Sequence, residues 1–205
     1  MRNISFYSQT LNQLLDSNYM KINNNSGLLE DTTQIPSCNF DDRPDKTSIS
    51  LIVVHNISLP PGQYGGPYIS QLFTNQLDKE EHPYFADIYQ LKVSSHLLIR
   101  RDGEIIQYVP FNKRAWHAGA STYCGKECCN DFSIGIELEG ADEEPYEDIQ
   151  YEKLAELILE LRQNYPDINK NAITGHSDIA PGRKTDPGPA FNWDHLQQLI
   201  TQQTD

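Results

Sequence analysis

Two histidines, together with one of two acids that follow the second histidine in the sequence, could hold a metal ion. His55 and His176 each end a short apolar run that is typical of a β-strand. Side chains at the carboxyl ends of strands in an α/β sheet project into a crevice where binding sites usually form. Asp178 and Asp186 follow His176, and spacing alone does not choose which carboxylate joins the imidazoles. Two neutral imidazoles and one carboxylate favour a catalytic zinc ion that keeps a fourth position open for water.

The sequence also supplies candidates for the proton transfer and charge stabilisation of a zinc hydrolase. Such an enzyme needs a base for the water proton and a positive group near the developing oxyanion. Glu137 and Glu139 lie on one face of a predicted strand, so either could be the base, and a solvent-facing pair is the alternative. Lys184 lies in a proline-rich loop whose backbone is restricted, and it could face the oxyanion. A solvated loop lysine is the other interpretation of Lys184.

The elements that must position these residues alternate along the chain. Short apolar runs predict strands over residues 50–55, 95–100, 104–109, 132–139 and 172–176. Helical spacing of apolar residues predicts helices over residues 69–77, 147–165 and 193–200. The Asp102-Gly103 dipeptide supplies the positive φ angles of a tight hairpin between the second and third strands. The predicted fold class is therefore α/β, with a mixed β-sheet flanked by helices.

Length and charge narrow the class of protein. The 205 residues suit one domain, with a core over about residues 50–195 and a polar extension over 1–48 that wraps the surface. The net charge of −13 argues against nonspecific binding to nucleic acid or to an anionic membrane, because both need clustered basic residues. No apolar run is long enough to span a bilayer, and residues 1–20 lack the apolar core of a signal peptide. The four cysteines, two of them adjacent, make a poor disulfide framework and indicate free thiols in a reducing cytoplasm.

Five stretches of sequence together resemble one enzyme family. They are VHNISLPPG at 54–62, SHLLIRRDG at 95–103, AWHAG at 115–119, NDFSIGIELEG at 130–140, and the loop from GH at 175–176 to KTDPGP at 184–189. In this order they closely resemble the AmpD family, the bacterial cytoplasmic 1,6-anhydro-N-acetylmuramoyl-L-alanine amidases, which are related to phage amidases and peptidoglycan recognition proteins. The resemblance covers about residues 50–195 and implies a single amidase domain over 1–205 with a mixed sheet flanked by helices.

The resemblance also implies roles for individual residues. One zinc ion per chain is expected to be held by His55, His176 and Asp186. Glu137 becomes the base and Lys184 the oxyanion partner. The implied reaction is hydrolysis of the amide between the lactyl group of anhydromuramic acid and the L-alanine of its stem peptide, a step of cell-wall recycling in the cytoplasm. The expected partner is a small soluble muropeptide, with no nucleic acid or membrane, and a monomer is expected.

Four further residues are candidates for substrate binding: Asn56, Lys92, Trp116 and Arg183. Asn56 could hydrogen-bond the amide and Trp116 could face the sugar or the peptide, with a capping asparagine and a core tryptophan as the alternatives. Lys92 and Arg183 could meet the carboxylates of the stem peptide, and solvated cations are the alternative. Cys128 departs from the family pattern, which usually has an arginine at this position that would meet a peptide carboxylate, so the preference for peptides or the affinity for them is expected to differ.

Two other functions and one other metal site fit parts of the pattern. A binding module of the same fold would recognise muropeptide without cutting it, but it has no use for a complete water-activating set of residues. An exported wall hydrolase would need a signal segment, which residues 1–20 lack. Cys124, Cys128 and Cys129 with His117 could form a second zinc cluster, although adjacent cysteines rarely chelate one tetrahedral ion well. The recycling amidase is therefore the leading prediction.

Overall fold

A mixed sheet forms the centre of the protein. The computed structural model describes residues 20–203, so residues 1–19 of the extension expected over 1–48 lie outside the described residues. The strands of the described range are β1 (Ile22–Asn23), β2 (Leu28–Leu29), β3 (Thr33–Gln34), β4 (Phe40–Asp42), β5 (Leu51–Ile57), β6 (Leu97–Ile99), β7 (Ile105–Gln107), β8 (Lys113–Ala115), β9 (Thr122–Tyr123), β10 (Lys126–Glu127), β11 (Ser133–Glu139) and β12 (Ile173–Gly175). Six of them form one sheet in the order β12-β5-β11-β6-β7-β3. The first four in this order are parallel, and β7 runs antiparallel to β6.

Helices flank this sheet, as the sequence predicts. Those of the described range are α1 (Tyr68–Phe73), α2 (Phe85–Ile88), α3 (Asp148–Asn164), α4 (His176–Ile179) and α5 (Trp193–Gln202). Helix α3 begins at a capping box in which the Glu147 N–H donates to the side chain of Gln150 at 3.1 Å. Its apolar face, including Leu154, Leu157 and Leu161, is fully buried in the core. No helix within residues 20–203 has the length and apolar character needed to cross a lipid bilayer.

The two central strands, β5 and β11, confirm the strands predicted over 50–55 and 132–139. They pair in parallel along seven residues, from Leu51 beside Ser133 to Ile57 beside Glu139. All of β11 is buried, because it lies between β5 and β6 and has side chains packed on both faces. A solvent-facing pair of acids on this strand is therefore wrong: Glu137 is 8% exposed and Glu139 is 2% exposed.

The hairpin predicted across Asp102-Gly103 is confirmed. Ile99 of β6 pairs with Ile105 of β7, and Gly103 has φ +87°. A Cβ at Gly103 would also lie 2.6 Å from Cγ1 of Ile149. Glycine is therefore required here both by the turn and by the neighbouring helix.

Residues 20–48 contribute to the core and to the sheet. Ile22 and Leu29 are buried in the main apolar cluster, and β3 pairs with β7 at the edge of the sheet. Strand β4 pairs with β8, so that Asp41 lies opposite Arg114. The described part of the N-terminal extension is therefore packed into the fold.

Arg43 ties this segment to the start of β11. Its guanidinium donates hydrogen bonds of 2.9–3.1 Å to four backbone carbonyls, those of Phe111, Asn130, Asp131 and Ser133. Backbone carbonyls away from water need donors, and one side chain here supplies four of them. Three separate stretches of the chain are held together at this point.

His96, just before β6, is fully buried in its neutral form. The Gly135 N–H donates to its Nδ1 at 3.0 Å, so the ring proton lies on Nε2, which is 3.1 Å from the carbonyl oxygen of Lys113. Burial, and then the charge of the nearby Arg43, lowers the pKa of His96 to about 3. The neutral ring is therefore part of the packed core.

This lowered pKa predicts a loss of stability in acid. The pKa of His96 rises from about 3 in the folded protein to about 6.5 on unfolding, so the stability contributed by the neutral ring is full above pH 6.5 and is lost as the pH falls toward 3. Moving from about pH 7.5 to about pH 5 should cost about 2 kcal/mol of unfolding free energy through this residue. His96→Gln keeps one acceptor and one donor but does not titrate, so it should lose about 2 kcal/mol less over the same interval. Urea denaturation at both pH values measures the difference, and equal losses would contradict the prediction.

Candidate active site

Two neighbouring strands place His55 and Glu137 side by side. His55 of β5 and Glu137 of β11 are partners in the parallel register, and such partners point to the same face of a sheet. Both line a cleft of about 350 Å³ at this edge of the molecule. The strand residues that precede them, 51–54 and 133–136, are buried, so both strands are anchored in the core.

A close approach between a strand end and a loop brings His176 and Asp186 together. His176 begins α4 directly after β12, and the next residue, Ser177, donates its N–H to the Asp186 carbonyl at 2.9 Å. Gly175 allows this approach, because a Cβ there would lie 2.8 Å from Cδ of Pro187. Asp186 therefore turns back onto the first turn of α4.

Three possible metal ligands converge at this point. Nδ1 of His55, Nδ1 of His176 and Oδ2 of Asp186 lie 2.9–3.0 Å from one another. Atoms that bind one zinc ion at about 2.0–2.2 Å lie within roughly 4 Å of each other. Among residues 20–203 this is the one such group of histidine, cysteine, aspartate and glutamate side chains.

The charges of these three groups fit a cation. The Nε2–H of His176 donates to the carbonyl of Ala118 at 3.1 Å, so Nδ1 presents a lone pair to the Asp186 carboxylate, 3.0 Å away. Burial lowers the pKa of His55 to about 4 and thereby keeps its ring in the neutral form that binds metals. Burial acts to raise the pKa of Asp186, but His176 and His55 outweigh it and hold that pKa well below its usual range. Electron-rich atoms this close together favour a cation between them, and the donor set suits zinc.

Asp178, the alternative acid, has a different position. Its Oδ2 accepts hydrogen bonds from Oγ1 of Thr174 at 2.9 Å and from the N–H of Gly175 at 3.0 Å. Asp178 thus caps the first turn of α4, as short polar residues often do. Asp186 is the acid that meets the two histidines.

Glu137 and Glu139 also have different surroundings. Oε1 of Glu139 accepts from the N–H of Gly65 at 2.7 Å and pairs with Arg100 at 3.2 Å, so this carboxylate is used within the fold. Oε2 of Glu137 is buried and has no hydrogen-bond partner among the described residues. Burial, and then the charge of Asp186, raises the pKa of Glu137 well above its usual range. A carboxyl group that has a raised pKa and one oxygen without a hydrogen-bond partner is suited to accept and return a proton.

Lys184 and Asn56, two of the other predicted residues, line the cleft. Lys184 is exposed and lies two residues before Asp186. The amide nitrogen of Asn56 donates to the carbonyl of Pro187 at 3.0 Å. Asn56 therefore holds the loop of Asp186 while it borders the cleft.

Trp116 also lines the cleft, and its ring is hydrogen-bonded to Asp41, which is not a lining residue. Its ring is partly buried, and Nε1 donates to Oδ1 of Asp41 at 3.2 Å. Asp41 is itself fixed by Arg114, with Nη2 to Oδ2 at 2.5 Å. Trp116 therefore lines the cleft, with its ring held by the hydrogen bond to Asp41, and is not a residue of the inner core.

The two predicted basic residues, Arg183 and Lys92, lie outside the lining of the cleft. Nη2 of Arg183 donates to the carbonyls of Ala118 and Ala120 at 2.6 and 2.7 Å. Lys92 is exposed, and the lining residues Leu91 and Val93 flank it. Arg183 nevertheless reaches one of the converging ligands, because its Nη2 lies 3.4 Å from Nε2 of His176, the ring nitrogen that faces away from Asp186.

An apolar wall of the cleft was not predicted. Tyr84, Ile88 and Leu91 form part of it, and Tyr84 and Leu91 are the exposed large hydrophobic residues of the described chain. Their spacing of four and three residues is a helical signal that could have identified a common face. Such a wall suits the apolar parts of a ligand.

The cysteines are free, as expected. Cys38, Cys124 and Cys128 are exposed, and Cys129 is buried. Within residues 20–203 they do not meet His117 in a group that could hold a metal, so the alternative of a second zinc cluster is wrong.

Comparison with known proteins agrees with this geometry. The family model for N-acetylmuramoyl-L-alanine amidases matches residues 45–189. The 1,6-anhydro-N-acetylmuramyl-L-alanine amidase AmpD of Escherichia coli (strain K12) is 59% identical over 178 residues, which cover 87% of this chain and 97% of that protein.

Two solved structures have the same fold. The crystal structure of a selenomethionine derivative of AmpD has a TM-score of 0.85 and 57% identity, covering 88% of this chain and 99% of that one. The complex of the E. coli amidase AmiD with the substrate anhydro-N-acetylmuramic acid-L-Ala-D-γ-Glu-L-Lys has a TM-score of 0.55 and 30% identity, covering 77% of this chain and 60% of that one. The resemblance found in the five sequence stretches is confirmed. The chain belongs to the N-acetylmuramoyl-L-alanine amidase family.

Proposed function

We propose that this chain is a zinc-dependent amidase that cleaves the amide between the lactyl group of 1,6-anhydro-N-acetylmuramic acid and the L-alanine of a stem peptide, in peptidoglycan recycling. The observation that carries the proposal is the convergence of His55, His176 and Asp186 beside the partnerless carboxyl oxygen of Glu137. A pure binding module needs no free base next to such a group. The E. coli relative is named for the same amide bond.

The three converging residues would hold the zinc ion, and other residues transfer the proton and stabilise charge. A bound zinc ion supplies a water whose pKa is lowered to ~7 and a Lewis acid for the scissile carbonyl. Glu137 accepts the proton of the attacking water at Oε2 and returns it to the nitrogen of the leaving L-alanine. Its raised pKa makes the carboxylate a stronger base, and the still more basic amine takes the proton back. Lys184 provides positive charge for the carbonyl oxygen as that oxygen becomes negative.

The substrate class is a small soluble muropeptide. The polar end of the cleft takes the scissile amide, with Asn56 and Trp116 beside it. The apolar wall supports the carbon skeleton of the ligand. In the AmiD complex the bound compound contains the bond proposed here.

Lys92 and Arg183 are assigned to the carboxylates of the stem peptide. Lys92 is exposed beside the lining residue Leu91. Arg183 has to bind its carboxylate while Nη2 holds the Ala118 and Ala120 carbonyls. Charge complementarity supports both assignments, since the chain carries a net charge of −13 and an acidic peptide needs local cations.

We also infer a cytoplasmic monomer with one amidase domain over 1–205. Free thiols at four cysteines fit a reducing compartment. Ile22 and Leu29 share the core with residues of the family match, which supports one domain. The exposed large hydrophobic residues within 20–203 are Tyr84 and Leu91, both in the cleft wall, which supports a monomer.

Mass spectrometry of anhydromuramoyl-tripeptide tests this function. The purified protein should release free tripeptide, lose this activity after treatment with a chelator, and recover it when zinc is added back. Metal analysis should find one zinc ion per chain. Zinc-free protein that binds the muropeptide without cutting it would overturn the proposal in favour of a binding module. Cleavage of intact wall sacculi in preference to the soluble compound would indicate an exported wall hydrolase instead.

A further inference from the structure

A second histidine lies directly behind the metal-facing ring of His55. Nδ1 of His117 is 2.9 Å from Nε2 of His55, the nitrogen that points away from the converging ligands. The two rings meet edge to face with their centroids 5.0 Å apart. Histidines that bind metal commonly donate the other ring N–H to a partner, which fixes the tautomer and the ring orientation. His117 is in position to be that partner.

The hydrogen bonds continue from His117 to the backbone. Nε2 of His117 lies 3.1 Å from Oγ of Ser133, and that hydroxyl lies 2.6 Å from the carbonyl oxygen of Cys129. A carbonyl only accepts, so Ser133 donates its single proton to Cys129. The lone pairs of the Ser133 oxygen then accept the Nε2–H of His117.

These bonds fix the proton positions on both rings. With its proton on Nε2, a neutral His117 has a lone pair on Nδ1 and can only accept from His55. His55 therefore carries its proton on Nε2 and presents the lone pair of Nδ1 to His176 and Asp186. Three successive hydrogen bonds, which start at the Cys129 carbonyl, thus determine the tautomer of His55 and leave Nδ1 free to bind a metal.

The fold is built to hold His117 in this place. Its backbone N–H donates to Oδ1 of Asn130 at 3.2 Å. Its ring lies against Gly135, where the Cβ of any other residue would overlap the imidazole. Ser133, Gly135 and Glu137 alternate along β11 and therefore share one face. The same face of β11 therefore carries the carboxyl group of Glu137 and the two residues that contact the His117 ring, Ser133 and Gly135.

We propose that His117 and Ser133 are positioning residues that keep His55 in its zinc-binding tautomer, an assignment that rests on the proposed zinc amidase. They act through His55 and not on the reacting atoms. Without the Ser133 hydroxyl, His117 can place its proton on Nδ1. The proton of His55 then moves to the metal-facing Nδ1, and zinc has to displace it.

The zinc dissociation constant tests the proposal without reference to activity. It is measured by competition with a chromophoric chelator at about pH 7.5 for the wild type, Ser133→Ala and Ser95→Ala. Ser95 is the matched control: it is also fully buried, and it donates to the Gly135 carbonyl at 2.7 Å without joining the bonds to His55. Ser133→Ala should bind zinc ~10- to 100-fold more weakly, whereas Ser95→Ala should stay within about threefold of the wild type.

NMR of the histidine ring nitrogens gives a second readout that needs no variant to fold. In zinc-free wild-type protein, His55 and His117 should both carry their protons on Nε2. A His117 proton on Nδ1, or equal zinc affinity in the two serine variants, would overturn the inference while the amidase proposal stands. A wild-type protein that binds no zinc would overturn the amidase proposal itself.

Discussion

Replacing His176 with alanine should remove the bound zinc and lower kcat/KM by on the order of 10³-fold or more. The variant keeps His55 and Asp186, but two ligands do not hold zinc in a fixed position. The charge that activates water and polarises the carbonyl is lost with the ion. Metal analysis of the purified variant and assay of muropeptide cleavage measure the two effects.

His195→Ala is the control for this experiment. His195 lies on α5, where its ring packs on that of Tyr151 at a centroid distance of 4.9 Å, away from the cleft lining. This variant should keep one zinc ion per chain and near wild-type turnover. Stoichiometric zinc in His176→Ala would show that the ligand set is assigned incorrectly.

Glu137→Gln should keep zinc but reduce kcat by about 10²- to 10⁴-fold, the usual contribution of a general base. Glutamine has almost the same shape as glutamate, so the cleft and the ligand triad are preserved. It does not accept the water proton, so the chemical step is affected while KM changes little. Steady-state kinetics together with zinc analysis separate this result from loss of the metal.

The neighbouring acid provides the comparison. Glu139→Gln breaks the buried pair with Arg100, so it should lower the thermal stability and leave turnover less affected. If the Glu137 variant remained fully active and the Glu139 variant did not, the roles of the two residues would be reversed.

The central strands could be predicted because apolar side chains on both faces are a local signal. Strands β5 and β11 each contain a run of apolar residues that is buried on both faces of the sheet. Strands β4 and β8 have no such signal, because their pairing depends on Asp41 and Arg114, which are far apart in the sequence. Nothing in either segment alone indicates its partner.

The candidate site could be predicted only as far as residue type and position allow. His55 and His176 are recognisable at the ends of apolar runs. Glu137 and Glu139 share a strand face, so no periodicity distinguishes them, and the contact of Glu139 with Arg100 comes from another strand's end. The hydrogen bonds from His55 through His117 likewise depend on the folded arrangement of β5, β11 and the loop between β8 and β9.

The contacts of Asp41 and Arg43 set a limit on how far the chain can be shortened. Both residues precede position 45, where the family match begins. A fragment that begins at residue 45 would retain the three converging ligands and Glu137. It would lack Asp41, which accepts the hydrogen bond of the Trp116 ring, and Arg43, which donates to four backbone carbonyls around the start of β11. We therefore expect the smallest working unit of this enzyme to start upstream of residue 45, the first residue that the family model matches.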